Sequence, residues 1–253
     1  MMQALKTECK RRIFHYAGFT VLMLLLTGCM YSGGGETKEA AVTNYDGSIS
    51  RIQNALDAFQ ESQGILPIVT AGEDVPIYEK FRIDLSKLED GGYLDDIPKT
   101  AFERGGSAYF LVQNEDVDPI VKVMDLVTVQ KVTQVQRLVD SYHASHGTWP
   151  MKEEIYPDIH LVDTDAIQSS GNRVDDLASV YSGETIPYII DSEGKVYADY
   201  AFDIMQLMER KEIKPQAAED LRVYLTEASH FVPVKSLPYT WHDAQPVAVL
   251  SLP

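Results

Sequence analysis

Few side chains in this sequence stand at spacings that support catalysis or metal binding. Ser192-Glu193-Gly194-Lys195 satisfies the S-x-x-K pattern of a serine nucleophile with a lysine base. In enzymes that use the pattern the serine opens a helix, whereas here a glycine inside the motif places it in a hairpin turn. His143 and His146 lie one helical turn apart and offer two imidazoles to zinc; the competing reading is a solvated helix face. Acidic groups recur at Glu115, Asp116 and Asp118, at Asp163 and Asp165, and at Asp175 and Asp176. None has the D-x-[DN]-x-[DN]-G spacing of a preformed calcium loop. The sequence holds no G-x-S-x-G, H-E-x-x-H, G-x-x-x-x-G-K-[ST] or G-x-G-x-x-G. No catalytic residue, metal site or cofactor is expected, and the reading is of a non-enzyme.

The chain has two cysteines, Cys9 and Cys29, and the second carries the clearest chemical signal. Lys6, Lys10, Arg11 and Arg12 precede an apolar stretch from Ile13 to Leu26. A basic segment followed by a short apolar one is the form of an export signal, and it is short for a membrane span. It ends in Leu26-Thr27-Gly28-Cys29, an aliphatic residue, two small residues and a cysteine. This resembles the lipobox of bacterial lipoproteins. The resemblance implies cleavage after Gly28, a diacylglyceryl group on the Cys29 sulfur, and a protein anchored at the extracytoplasmic face of the cell membrane. Two acyl chains suffice for such an anchor where one is marginal. The alternative is an uncleaved transmembrane segment with an incidental cysteine.

Removal of residues 1–28 leaves Cys29 as the sole cysteine, with 18 basic against 37 acidic side chains and a net charge of −19. Intramolecular disulfides, zinc–thiolate sites and a cysteine nucleophile are thereby excluded. An acidic body also repels nucleic acid, which is not an expected partner. Acidity suits cationic partners or divalent ions, or serves solubility alone. Residues 29–48, with Ser32-Gly33-Gly34-Gly35 and no apolar periodicity, read as a flexible tether.

The elements that follow are organised as a repeat. Between RIQNALDAFQESQGILP (51–67) and QVQRLVDSYHASHGTWP (134–150), an offset of 83 superposes Gln53 on Gln136 and Asp57 on Asp140. Gly64 falls on Gly147 and Pro67 on Pro150. Both read as amphipathic helices with a glycine stop. Each is followed by an aspartate in an aliphatic setting (Asp84, Asp163), an Ile-Pro pair (Ile97-Pro98, Ile186-Pro187) and a candidate hairpin. The first hairpin is expected to turn at Gly105-Gly106 and the second near Ser192-Glu193-Gly194. A strand near Ile120–Met124, a helix from about Asp125 to Ser145, and two helices at Ala201–Lys211 and Gln216–Ala228 complete the reading. Prolines 233, 238 and 246 make the tail extended, at a sheet edge or wrapped over the body. Tyr239 and Trp241 either form a docking surface or pin that tail.

The expected fold class is therefore α+β. The domains are a signal (1–28), a tether (29–48), two helix–irregular–hairpin units (49–118 and 119–200), and C-terminal helices with an extended tail (201–253). The helix–GxxP–hairpin order loosely resembles the globular part of type IV pilins and pseudopilins, without their long assembly helix. The whole chain resembles uncharacterised lipoproteins of Bacillus-like Gram-positive bacteria, in its lipobox, its acidic α+β body and its lone mature cysteine. This implies a lipid-anchored, non-catalytic envelope protein whose partners are the membrane, through Cys29, and another envelope component. A receptor for a small ligand or metal ion, with its pocket between the two units, is the alternative.

Overall fold

In the computed structural model, residues 38–253 are described except for 170, 217, 218 and 253, with side chains from Tyr45 onward. The first helix, α1 (Lys38–Gln63), begins inside the stretch read as tether, because Lys38-Glu39-Ala40-Ala41 are good helix formers. Its buried face is Ile49, Ile52, Ala55, Leu56 and Phe59. After a short helix, α2 (Ile77–Lys80), comes α3 (Leu85–Asp90), capped by Asp84. Two strands follow, β1 (Ala108–Gln113) and β2 (Ile120–Asp125), paired antiparallel over their full length. The expected turn at Gly105-Gly106 is not a hairpin turn. Residues Phe102–Arg104 form a 3-10 turn ending at Gly105. The chain reverses instead through residues 114–119, so the strand at Ile120 completes the first repeat. Gly106 is needed there for a close backbone approach, since a Cβ would lie 2.1 Å from the Thr100 carbonyl oxygen.

Asp125 then caps α4 (Leu126–His146) by accepting from the Val127 and Thr128 amides. Gly147 ends that helix in the left-handed region, as Gly64 ends α1. Thr128, Val132, Val135 and Val139 form the buried face of α4. The segment read as irregular in the second repeat is a hairpin, β3 (Met151–Tyr156) with β4 (Ile159–Val162), followed by α5 (Thr164–Ser169). A small pair, β5 (Leu177–Ala178) with β6 (Thr185–Ile186), leads to β7 (Tyr188–Asp191) and β8 (Val196–Ala198). The sheet order β3-β4-β7-β8 is an antiparallel meander.

The first repeat has the same order with a frayed front half. Ile68 bridges Ile83, and Arg82 bridges Leu111 in β1. The local anchors also coincide. The Asp84 amide donates to the Pro67 carbonyl at 2.7 Å, and the Asp163 amide donates to that of Pro150 at 2.7 Å. Asp84 accepts from the Lys87 amide and Asp163 from the Ala166 amide, each capping the short helix behind it. The fold is α+β, each helix packed on its own sheet.

After β8 come α6 (Ala201–Lys211) and α7 (Arg222–Ala228). The second is shorter than the Gln216–Ala228 expected, because the Leu221 amide is taken by the Tyr239 carbonyl and a helix cannot run through it. The tail does both things its prolines suggested. It ends in an outer hairpin, β9 (Tyr239–His242) with β10 (Gln245–Ala248), and before that it wraps. The Val123 amide donates to His230 and the Val232 amide returns to Val123, laying the tail along β2. A few residues on, the Lys235 carbonyl accepts from Ala198 at the end of β8. Residues 230–235 thus stitch the two sheets together, over a shared cluster of Tyr78, Leu111, Met124, Leu126, Val232 and Val234. Lys235 closes the seam with an ion pair to Glu79 at 2.9 Å. Among the described residues no helix is long and apolar enough to cross a membrane.

Candidate functional site

Cys29 and Gly28 lie outside the described residues. Ser192–Lys195 occupies the turn between β7 and β8, where Asp191 accepts from the amides of Glu193 and Lys195. The motif is thereby absorbed in turn geometry. His143 stacks on Trp149 with ring centroids 3.7 Å apart, and His146 stacks on Tyr142 at 4.0 Å, so the two imidazoles face different aromatic neighbours. Asp163 serves as a helix cap, and Asp165 pairs with Lys152 at 2.6 Å. Among the described residues no three His, Cys, Asp or Glu side chains converge on a point that a metal would occupy. Tyr239 is buried and Trp241 half-buried, so the tail tyrosine pins the chain.

Tyr239 does this through a buried polar network. Its hydroxyl donates to Asp199 at 2.8 Å and accepts from the Tyr200 amide at 2.8 Å. Asp199 also accepts from the Tyr156 hydroxyl at 3.0 Å and from the Ala201 amide at 3.0 Å. Burial raises the Asp199 pKa, and these hydrogen bonds offset only part of that. The network joins β3, the start of α6 and the tail.

Asp203, four residues on in the first turn of α6, is 3% exposed. Neither of its carboxylate oxygens completes a well-formed hydrogen bond, and Ser179 and Ser182 only soften the cost. Desolvation raises its pKa. A raised carboxyl pKa means the folded state holds the proton more tightly than the unfolded chain. Stability therefore falls as pH rises from the ordinary 3.8 through the raised value, and stays lower above it. Asp203→Asn removes that charge. It is expected to stabilise the protein at pH 7, with the gain shrinking toward zero below pH 3.8. Thermal melts of both proteins across that range check it.

One feature unites the repeats and distinguishes them. In the second, the Gln136 amide nitrogen donates to the Gly194 carbonyl at 2.8 Å and to Asp140 at 2.9 Å, while its oxygen accepts from the Val196 amide at 2.7 Å. In the first, Gln53 donates to Pro119 at 2.9 Å and to Asp57 at 2.8 Å, and accepts from Val121 at 2.8 Å. A helix side chain thus substitutes for a neighbouring strand at the entry of β2 and of β8. The aspartate four residues on aims the glutamine. Sequence comparison aligned these residues without assigning them this role. A polar pair kept at the same place on two apolar helix faces was the available signal.

The space outside each clamp differs. In the second repeat the Trp149 indole fills it, lying so close to Gly194 that a Cβ there would be 2.5 Å from the ring. In the first repeat the corresponding space is an open groove of about 620 Å³, lined by Gln53, Asp57, Gln60 and Glu61 on α1 and by residues 117–120. Val117 on its rim is 91% exposed. A smaller pocket, about 250 Å³, lies inside the second repeat, between Lys152, Asp175, Thr185 and Tyr188. It is enclosed by one repeat and not by both. The groove is the candidate interaction site.

Residues 45–125 match the YphF family N-terminal domain. The match runs from Tyr45, within α1, to the last residue of β2, that is, over the first helix–sheet repeat and its groove. No curated protein and no solved structure is significantly similar to the chain.

Proposed function

We propose that the protein is a lipid-anchored lipoprotein of the bacterial envelope, held by acyl chains on Cys29 at the extracytoplasmic face of the cell membrane, and that its duplicated α+β body is a non-catalytic interaction module. The observation that carries the anchor is the order of residues 1–29: a basic segment, an apolar run, then Leu-Thr-Gly-Cys with no other cysteine after it. The observation that favours interaction over catalysis is the open groove on the first repeat, whose side chains are positioned by structural hydrogen bonds and not by any nucleophile–base geometry.

Changing Cys29 to alanine tests the anchor. The variant is expected to leave the membrane fraction or to accumulate as an unprocessed precursor, and intact-mass measurement of the native protein to show a diacylated Cys29 at the N-terminus. Recovery of the variant in membranes at mature size rejects the proposal.

A further inference from the structure

The two repeats carry the same clamp, yet one clamp is roofed by an indole and the other is bare. In the second repeat Trp149 is held between His143 on α4 and the backbone of Gly194 at the tip of the β7–β8 turn. In the first repeat Gln60 replaces His143 and Pro119 replaces Gly194 at the matching hydrogen bond. Leu66 stands in place of Trp149, but it packs on the first core, so among the described residues no side chain roofs the groove. The groove lining offers an aromatic ring the side chains of Gln60 and Pro119, the counterparts of His143 and Gly194, and the apolar surface of Val117 and Ile120. Asp57, Glu61 and Asp118 stand around it, with Asp116 beside them and no lysine or arginine in the lining.

We propose that this groove receives an aromatic side chain flanked by basic residues, presented by a protein partner. The ring takes the place that Trp149 takes in the second repeat, and the flanking cations pair with Glu61 and Asp118. Charge decides the class of partner. A second copy of this chain, with its net charge of −16, is repelled from so acidic a rim, whereas a basic segment is drawn to it. Aromatic anchors surrounded by complementary charge are the usual source of affinity in such contacts. That the partner resides in the envelope rests on the anchor proposed above; the groove and its chemistry do not.

Titration of the full chain with an acetylated, amidated Gly-Lys-Trp-Lys-Gly peptide, followed calorimetrically, tests the inference. Two control peptides replace tryptophan by alanine or both lysines by glutamate. The tryptophan peptide is expected to bind at least about tenfold more tightly than either control. The exposed double variant Glu61→Lys, Asp118→Lys is expected to lose that affinity while melting like the parent. Equal binding of the alanine peptide reduces the groove to a diffuse charge effect and overturns the proposal. So does unchanged binding by the double variant, or no binding of the tryptophan peptide. Each of these outcomes leaves membrane fractionation of Cys29→Ala unchanged, so the two readings fail separately.

Discussion

Replacing Gln136 by alanine is expected to lower the unfolding free energy by about 2–4 kcal/mol, the cost of stranding two buried backbone groups. The Val196 amide and the Gly194 carbonyl have this one side chain as their partner across the edge of the turn, and both residues are buried. Trp149 lies over the turn, so water cannot replace the lost bonds without displacing the indole. Gln53→Ala, the same substitution in the first repeat, is expected to cost only about half as much. There the Pro119 carbonyl borders the open groove, where water reaches it. Denaturant unfolding of the two variants measures the difference. Equal losses would mean that the roof over the second clamp excludes no water. Gln136→Glu should recover only part of the loss, because a carboxylate accepts from Val196 but has no proton to donate to Gly194.

Asp199→Ala is expected to cost about 3–5 kcal/mol, since each buried donor left without an acceptor costs about 1–3 kcal/mol. Three donors lose their acceptor at once: the hydroxyls of Tyr156 and Tyr239 and the amide of Ala201. They come from β3, the tail and the start of α6, so the damage is not confined to one element. The tail should detach first, since Tyr239 also receives the Tyr200 amide and fixes the entry to β9. Tyr239→Phe removes only one hydroxyl and should cost about 1–3 kcal/mol. Hydrogen exchange at residues 230–248 separates the cases: accelerated exchange of the tail, ahead of the sheets, is the expected pattern for both variants. Asp199→Asn preserves the shape and one acceptor, and should fall between Tyr239→Phe and Asp199→Ala.

The repeat was legible because helix periodicity and glycine stops are local properties. Ile52, Leu56 and Phe59 on α1, and Val135 and Val139 on α4, are buried as their spacing implies, and Gly64 and Gly147 do adopt the left-handed conformation. The first hairpin was not legible in the same way. Gly105-Gly106 is a sound turn signal, but Gly106 is there for its close approach to Thr100, and the true reversal at residues 114–119 lacks a two-residue glycine turn. The hairpin β3–β4 was hidden by Lys152-Glu153-Glu154, three exposed side chains in succession that break any alternating pattern, and by register shifts at Glu154 and Tyr156.

By itself the sequence determined the glycine stops of α1 and α4, the extent of α6, and the expectation of an acylated Cys29, because each depends on residues within one or two turns of one another, and the α+β class and the repetition followed from the recurrence of those local patterns. Only the tertiary structure decided which strands pair, that the tail joins the two sheets at Val123 and Ala198, and that one of two equivalent clamps stands open. Those outcomes depend on groups far apart in the chain competing for the same backbone hydrogen bonds and the same apolar space. Whether Trp149 covers the distant turn at Gly194, or Leu66 the one at Pro119, is settled by volume and contact in the folded body, where no short stretch of sequence carries the information.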